Sequence, residues 1–188
     1  MEAELLASRI ARCFSVAQVL YEPMEYQGRR VSGSELCTTK DESIVSAGDM
    51  GRYLAGAGKS LWELVREQDA YSYHMMNIID YLIGNTDRHR RNWGFRVRND
   101  SHTPGRLFPL MDFNRSFRDY DSPEGGTCLA AEEPVSRREA AARGVRAIGL
   151  NLSCPLQEDV SALFSGLNAL RGKRLDFMFR ARLDLLGK

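Results

Sequence analysis

Several things are scarce in this 188-residue chain, beginning with a surplus of charge: Lys and Arg number 26 against 25 Asp and Glu, a formal net charge of +1. No global field draws it to nucleic acid or an anionic membrane, so any polyanion must be met locally. No apolar run approaches the roughly 18 residues that read as a transmembrane helix. The opening Met1-Glu2-Ala3-Glu4 is acidic where a secretory signal is basic, so a cytoplasmic location is expected. Cysteine is sparse as well. Cys13, Cys37, Cys128 and Cys154 form no CxxC pair and have no His at ligand spacing, which argues against zinc and predicts reduced thiols packed as small side chains. There is no internal repeat and no low-complexity tract. The length suffices for one domain with a real core, and 43% hydrophobic with 27% charged residues is an ordinary globular composition.

What is present reads as a mixed α+β chain. Leu6, Ile10, Cys13 and Phe14 recur at helical spacing at the start. Residues 17–26 alternate as a strand, Gln27-Gly28 signals a turn, and 30–37 can return as its partner. Residues 38–49 are polar and predict a loop, and Gly48, Gly51, Gly56 and Gly58 predict short helices or a flexible connection. Tyr71, Met75, Ile78, Ile79 and Leu82 line one face of a helix over 68–83, which Gly84-Asn85 should end. Residues 93–97 and 107–111 predict a β-hairpin, with Trp93, Phe95 and Phe108 in the core. Residues 113–134 show no periodicity, and helices are predicted over 135–145, 156–167 and 170–186, Ser153 and Pro155 marking the start of the second.

The chemistry concentrates in two segments, Asn85-Thr86-Asp87-Arg88-His89-Arg90-Arg91-Asn92 and Leu110-Met111-Asp112-Phe113-Asn114. They flank the predicted hairpin, and an antiparallel pair sets the start of one strand beside the end of the other. Two carboxylates and a carboxamide that converge suit Mg²⁺-dependent phosphoryl transfer. Asp87, ionised at neutral pH, can align an acceptor hydroxyl. Asn92 offers a neutral oxygen and Asp112 a hard carboxylate for the metal. His89 is expected to brace the loop. Arg88, Arg90 and Arg91 are candidates for phosphate or for a solvated turn. The competing structural reading is that Asp, Asn and His satisfy a turn locally.

The two segments resemble those of the HipA-like serine/threonine kinases, and Glu4-Leu5-Leu6-Ala7-Ser8-Arg9-Ile10 and Val31-Ser32 resemble that family's helix and hairpin. The resemblance implies a divergent protein-kinase-like fold, mainly the helical C-lobe with β-hairpins. Residues 1–48 would be a remnant of the N-lobe and 49–188 the catalytic lobe. It also implies Mg²⁺ and ATP as cofactors, Asp87 as catalytic base with His89 beside it, and Asn92 and Asp112 as metal and nucleotide ligands. Asp112-Phe113-Asn114 would stand where other kinases carry Asp-Phe-Gly. The implied acceptor is a protein Ser or Thr hydroxyl, and a toxin–antitoxin setting would involve nucleic acid only indirectly. No membrane is implied.

The sequence departs from that pattern at its start. Three residues precede Glu4, so the phosphate-covering loop and the strand lysine that would pair with Glu4 are not in the chain. Lys40 and Lys59 are the only lysines before the catalytic segment. The expectation is therefore a kinase domain incomplete at its N-terminus, its nucleotide site completed by a missing segment or a partner chain. The alternative is a non-catalytic pseudokinase or interaction module. Ser116, Ser122 and Thr127 are candidates for regulatory phosphorylation.

Overall fold

A computed structural model describes residues 2–118, 120–152 and 156–187, the side chains of 156–158 excepted; the predicted cap Ser153-Pro155 and Cys154 lie outside them. Eleven elements follow in order: α1 (Glu2–Ala11), β1 (Glu22–Tyr26), β2 (Arg29–Gly33), β3 (Glu42–Ser46), α2 (Ala47–Gly56), α3 (Leu61–Ile83), β4 (Gly94–Arg98), β5 (Pro104–Leu107), α4 (Arg137–Ile148), α5 (Leu156–Ser165) and α6 (Ala169–Leu186). The fold is kinase-like and α+β: helices around α3, an exposed β1–β2 hairpin, and an antiparallel sheet in the order β3-β4-β5.

The core follows the helical pattern of α3. Met75, Ile78, Ile79 and Leu82 are fully buried, while Tyr71 reaches out to donate its hydroxyl to Ser15 O at 2.8 Å. Helix α3 is longer than predicted. A Ser60/Glu63 capping box starts it a full two turns earlier, at Leu61. It then bends at Asp69, whose carboxylate accepts the Ser72 N–H at 3.1 Å and the Leu107 N–H at 3.2 Å. One side chain thus restarts the helix and pins β5 to it. Gly84, at φ 61°, closes α3 in a left-handed cap that returns its N–H to Asp80 O and Tyr81 O.

Three predictions about the strands are corrected. Residues 42–46, expected as loop, form β3, because Val45 and Ser43 pair with Phe95 and Val97 of β4; the partner, not local pattern, makes this strand. The return strand expected at 107–111 lies at Pro104–Leu107 instead. Beyond it, the chain leaves β4 and takes a new partner: Leu110 N–H donates to Ala17 O at 2.9 Å and Val19 N–H to Leu110 O at 2.8 Å. Residues 17–19 therefore pair with the approach to Asp112, and the strand expected over 17–26 shrinks to β1.

Trp93, Phe95 and Phe108 are core residues as predicted, at 1%, 0% and 5% exposure. The stretch 113–134 carries no helix or strand among its described residues. It is anchored by Tyr120, buried under α6, and by Arg182, which is fully buried and lies over the Tyr120 and Tyr81 rings at 4.5 and 5.0 Å. The Arg182 guanidinium also donates to Tyr81 O and, at 2.9 Å, to Ser122 O.

Candidate active site

The two polar segments are brought together by a buried ion pair. Asp80, in the last turn of α3, is 4% exposed. Its Oδ2 accepts Arg88 Nε–H at 2.7 Å and its Oδ1 accepts Arg88 Nη2–H at 3.1 Å, a two-point fork. The remaining Arg88 nitrogen, Nη1, donates to Asn92 O at 2.7 Å and Met111 O at 2.5 Å. Asp80 Oδ1 also accepts the Asn85 side-chain amide at 2.9 Å, and Asn85 Oδ1 in turn accepts the Asp87 N–H at 3.2 Å. One carboxylate thus positions the backbone at or next to Asp87, Asn92 and Asp112. Phe113 closes the hub, its ring 5.4 Å from the Arg88 guanidinium carbon.

This geometry corrects one expectation. Arg88 cannot meet phosphate: it is 4% exposed and fully engaged inside the protein. Its desolvated charge requires a buried partner, and Asp80 supplies it. Arg90 lies over the Trp62 ring at 5.4 Å, and Arg91 is exposed.

The loop itself is tightly wound. Asn92 Nδ2 donates to Asp87 O at 2.9 Å, and Asn92 Oδ1, a neutral oxygen, has no partner among the described residues. His89 Nδ1 accepts the Arg91 N–H at 3.2 Å, and its Nε2 lies 3.8 Å from Asp87 Oδ1. That arrangement places the ring proton on Nε2, facing Asp87. The Asp87 and His89 side chains are 38% and 44% exposed, open to an incoming group.

Asp112 has a left-handed backbone, φ 58°, which an Asp tolerates at a modest cost. Contacts on both sides hold it there: Arg88 on the preceding carbonyl, and the Tyr21 hydroxyl, which accepts the Asp112 N–H at 3.1 Å. Burial pushes the Tyr21 phenol above its ordinary range; the Asp112 N–H opposes this, and the Glu4 and Asp112 carboxylates reinforce it. Glu4 on α1 accepts the Ser32 hydroxyl at 2.5 Å. No described side chain donates to the Asp112 carboxylate, so its oxygens are free.

Sequence reasoning missed Asp80, Asn85, Tyr21 and Asp69. Asp80 did leave a trace, a lone carboxylate inside the apolar Ile78-Ile79-Asp80-Tyr81-Leu82-Ile83 run. Of the phosphorylation candidates, Ser116 is buried at 2% exposure and closed to an enzyme, whereas Ser122 and Thr127 are exposed. Cys13 and Cys128 are buried, and Cys37 is half-buried.

The fold is that of the kinases. The sequence model for the phosphatidylinositol 3- and 4-kinases matches residues 27–135, more than half of the chain, with both polar segments inside the match. The chain belongs to that family. Among solved structures, a Helicobacter pylori proinflammatory kinase, CtkA, superposes with a TM-score of 0.73 at 13% identity, over 98% of this chain and 84% of that one. No curated protein sequence matches the chain. The kinase-like fold implied by the HipA-like resemblance is thus present, while that particular family gains no separate support. Among the described residues no helix is long and apolar enough to cross a membrane.

Proposed function

We propose that this chain transfers a phosphoryl group from Mg²⁺-ATP to a Ser or Thr hydroxyl of a protein. The observation that carries the proposal is the Asp80–Arg88 hub, which ties the Asp87–Asn92 loop to the backbone just before Asp112. Asp87 aligns and accepts the proton of the acceptor hydroxyl, with His89 holding the loop beside it. The donor set fits magnesium: a free carboxylate on Asp112 and a free amide oxygen on Asn92, both hard oxygens. Among the described residues no three His, Cys, Asp or Glu side chains form a metal cluster of their own; the phosphates of a bound nucleotide would complete the set. The bound ion supplies charge neutralisation on those phosphates. A hollow of about 610 Å³ lined by Val19, Gly33, Leu36, Cys37 and Pro109, beside the residues leading to Asp112, is the right size for the nucleoside end of ATP.

The family name points to a lipid acceptor as well, and charge does not decide between the two. The segment 113–134 that follows the metal residues holds two arginines, Arg115 and Arg118, against Asp119, Asp121, Glu124, Glu132 and Glu133. Four of these acids are paired, Asp121 with Arg174, Glu124 with Arg138, Glu132 with Arg66 and Glu133 with Arg143, so the segment offers no strong field of either sign to an acceptor.

A second reading, a non-catalytic interaction module on the same scaffold, rests on Lys40 and Lys59. Both are exposed, and neither side chain has a partner among the described residues, so neither supplies the phosphate-pairing lysine of an active kinase.

Calorimetric titration of ATP with Mg²⁺ into wild type and Asp112→Ala, paired with γ-phosphoryl transfer to Ser/Thr peptides, separates the readings. Expected is Mg²⁺-dependent binding that Asp112→Ala removes, and transfer that Asp87→Asn lowers by about 10²–10⁴-fold. Equal heats for both proteins would sink the site assignment. Binding without transfer would select the non-catalytic module.

A further inference from the structure

On the far side of the segment after Asp112, the surface opens into a hollow of about 410 Å³ between Phe117, Arg118 and the start of α6. Three guanidinium groups line it. Arg118 comes from the segment; Arg171 and Arg174 come from α6, spaced i, i+3 and so on one face. Asn168 caps α6 by accepting the Leu170 N–H at 3.2 Å, so the positive end of an 18-residue helix adds to the wall.

These arginines do no work in the core, unlike Arg88 and Arg182. Arg171 pairs with Glu2 at 2.7 Å and Arg174 with Asp121, with side-chain exposures of 46%/69% and 61%/70%. Exposed pairs of this kind contribute little and exchange readily. Arg118 has no hydrogen bond or ion pair among the described residues. Among the described residues, three cations against two carboxylates leave the hollow positive. Its floor is rigid: the Phe117 N–H bonds Ile83 O at 3.0 Å and the Tyr120 hydroxyl bonds Leu82 O at 2.5 Å, at the helix end that leads into the Asp87 loop.

We propose that this hollow is a phosphomonoester site that takes a phosphorylated Ser or Thr side chain of a protein. Three phosphate oxygens can accept from three guanidinium groups on two elements, and a dianion outcompetes the single exposed carboxylates that hold two of them now. The inference rests on the protein-kinase reading for the origin of its ligand, a product of that reaction type, but not for its geometry. A concave site rimmed by Glu2 and Asp121 suits a single projecting phosphate better than a flat anionic bilayer. Occupancy would tie Arg118, six residues past Asp112, to α6 and so brace the segment that leads away from the metal residues.

The test is an amide-shift NMR titration of the whole chain with the peptide Gly-Gly-pSer-Gly-Gly, its unphosphorylated form and inorganic phosphate. Co-sedimentation with phosphatidylcholine vesicles carrying about one third phosphatidylserine runs in parallel. Expected is saturable shifting at Arg118, Arg171 and Arg174 by the phosphopeptide. Arg118→Gln/Arg171→Gln should weaken it at least about tenfold without moving the urea midpoint, because both side chains are exposed. Absent shifts, shifts that survive the double substitution, or inorganic phosphate binding as tightly as the phosphopeptide would overturn the proposal. So would arginine-dependent vesicle binding without peptide binding, which assigns the face to a membrane. None of these readouts needs phosphoryl transfer, so failure of the Asp87→Asn assay leaves this result readable on its own.

Discussion

Replacing Arg88 by Met tests the hub directly. The substitution removes the fork to Asp80, at 2.7 and 3.1 Å, and the bonds to Asn92 O and Met111 O, at 2.7 and 2.5 Å. The Asp80 side chain is 5% exposed, so its charge would be stranded away from water. Breaking a buried pair by removing one partner costs about 3–5 kcal/mol. For a chain of this size each kcal/mol moves the melting temperature by about 2–4 °C, so the expected fall is roughly 6–20 °C. Trp93, at 1% exposure, reports unfolding by fluorescence in a urea titration. The double variant Asp80→Leu/Arg88→Met removes the stranded charge and should recover part of the loss, because apolar replacements of a whole buried pair are often tolerated. The carbonyls of Asn92 and Met111 stay without their donor in both proteins, so Mg²⁺-dependent ATP binding should remain impaired in the double variant. A single substitution within about 1 kcal/mol of wild type, the scale of an exposed pair, would refute the reasoning. So would a double variant no more stable than the single one.

Two further outcomes follow from packing and from burial. A Cβ at Gly94 would stand 2.1 Å from Val45 O and 2.7 Å from Ala47 N, both backbone atoms that cannot swing aside. Gly94→Ala should cost about 3 kcal/mol or more, whereas Gly105→Ala, which meets only Arg96 O at 3.7 Å, should change the urea midpoint little. Burial holds the His74 imidazole below its ordinary range, so the folded protein prefers it neutral. The unfolded chain then binds the extra proton, and stability present above the unfolded value of about 6.5 is lost as pH falls below it. Urea midpoints from pH 7.5 to 5.5 should fall less steeply for His74→Gln than for wild type; identical slopes would rule out His74 as a contributor.

By itself the sequence determined the helical frame and the position of the chemistry along it. The apolar period of α3, the left-handed stop at Gly84, the hairpin between the two polar segments and the absence of regular structure among the described residues of 113–134 are all local signals. Each is set by side-chain spacing or by the backbone freedom of one residue, and each is present in the fold. Only the tertiary structure decided what the local pattern left open. Strand β3 exists because β4 offers it a ladder, and residues 109–111, past a last bond from the Phe108 N–H to Gly94 O, leave β4 because 17–19 offer another. Most of all, the role of Arg88 was decided in three dimensions. Neighbouring arginines in one loop look alike in a sequence, but the lone carboxylate of Asp80 reaches only one of them, and a charge taken out of water must end on its partner.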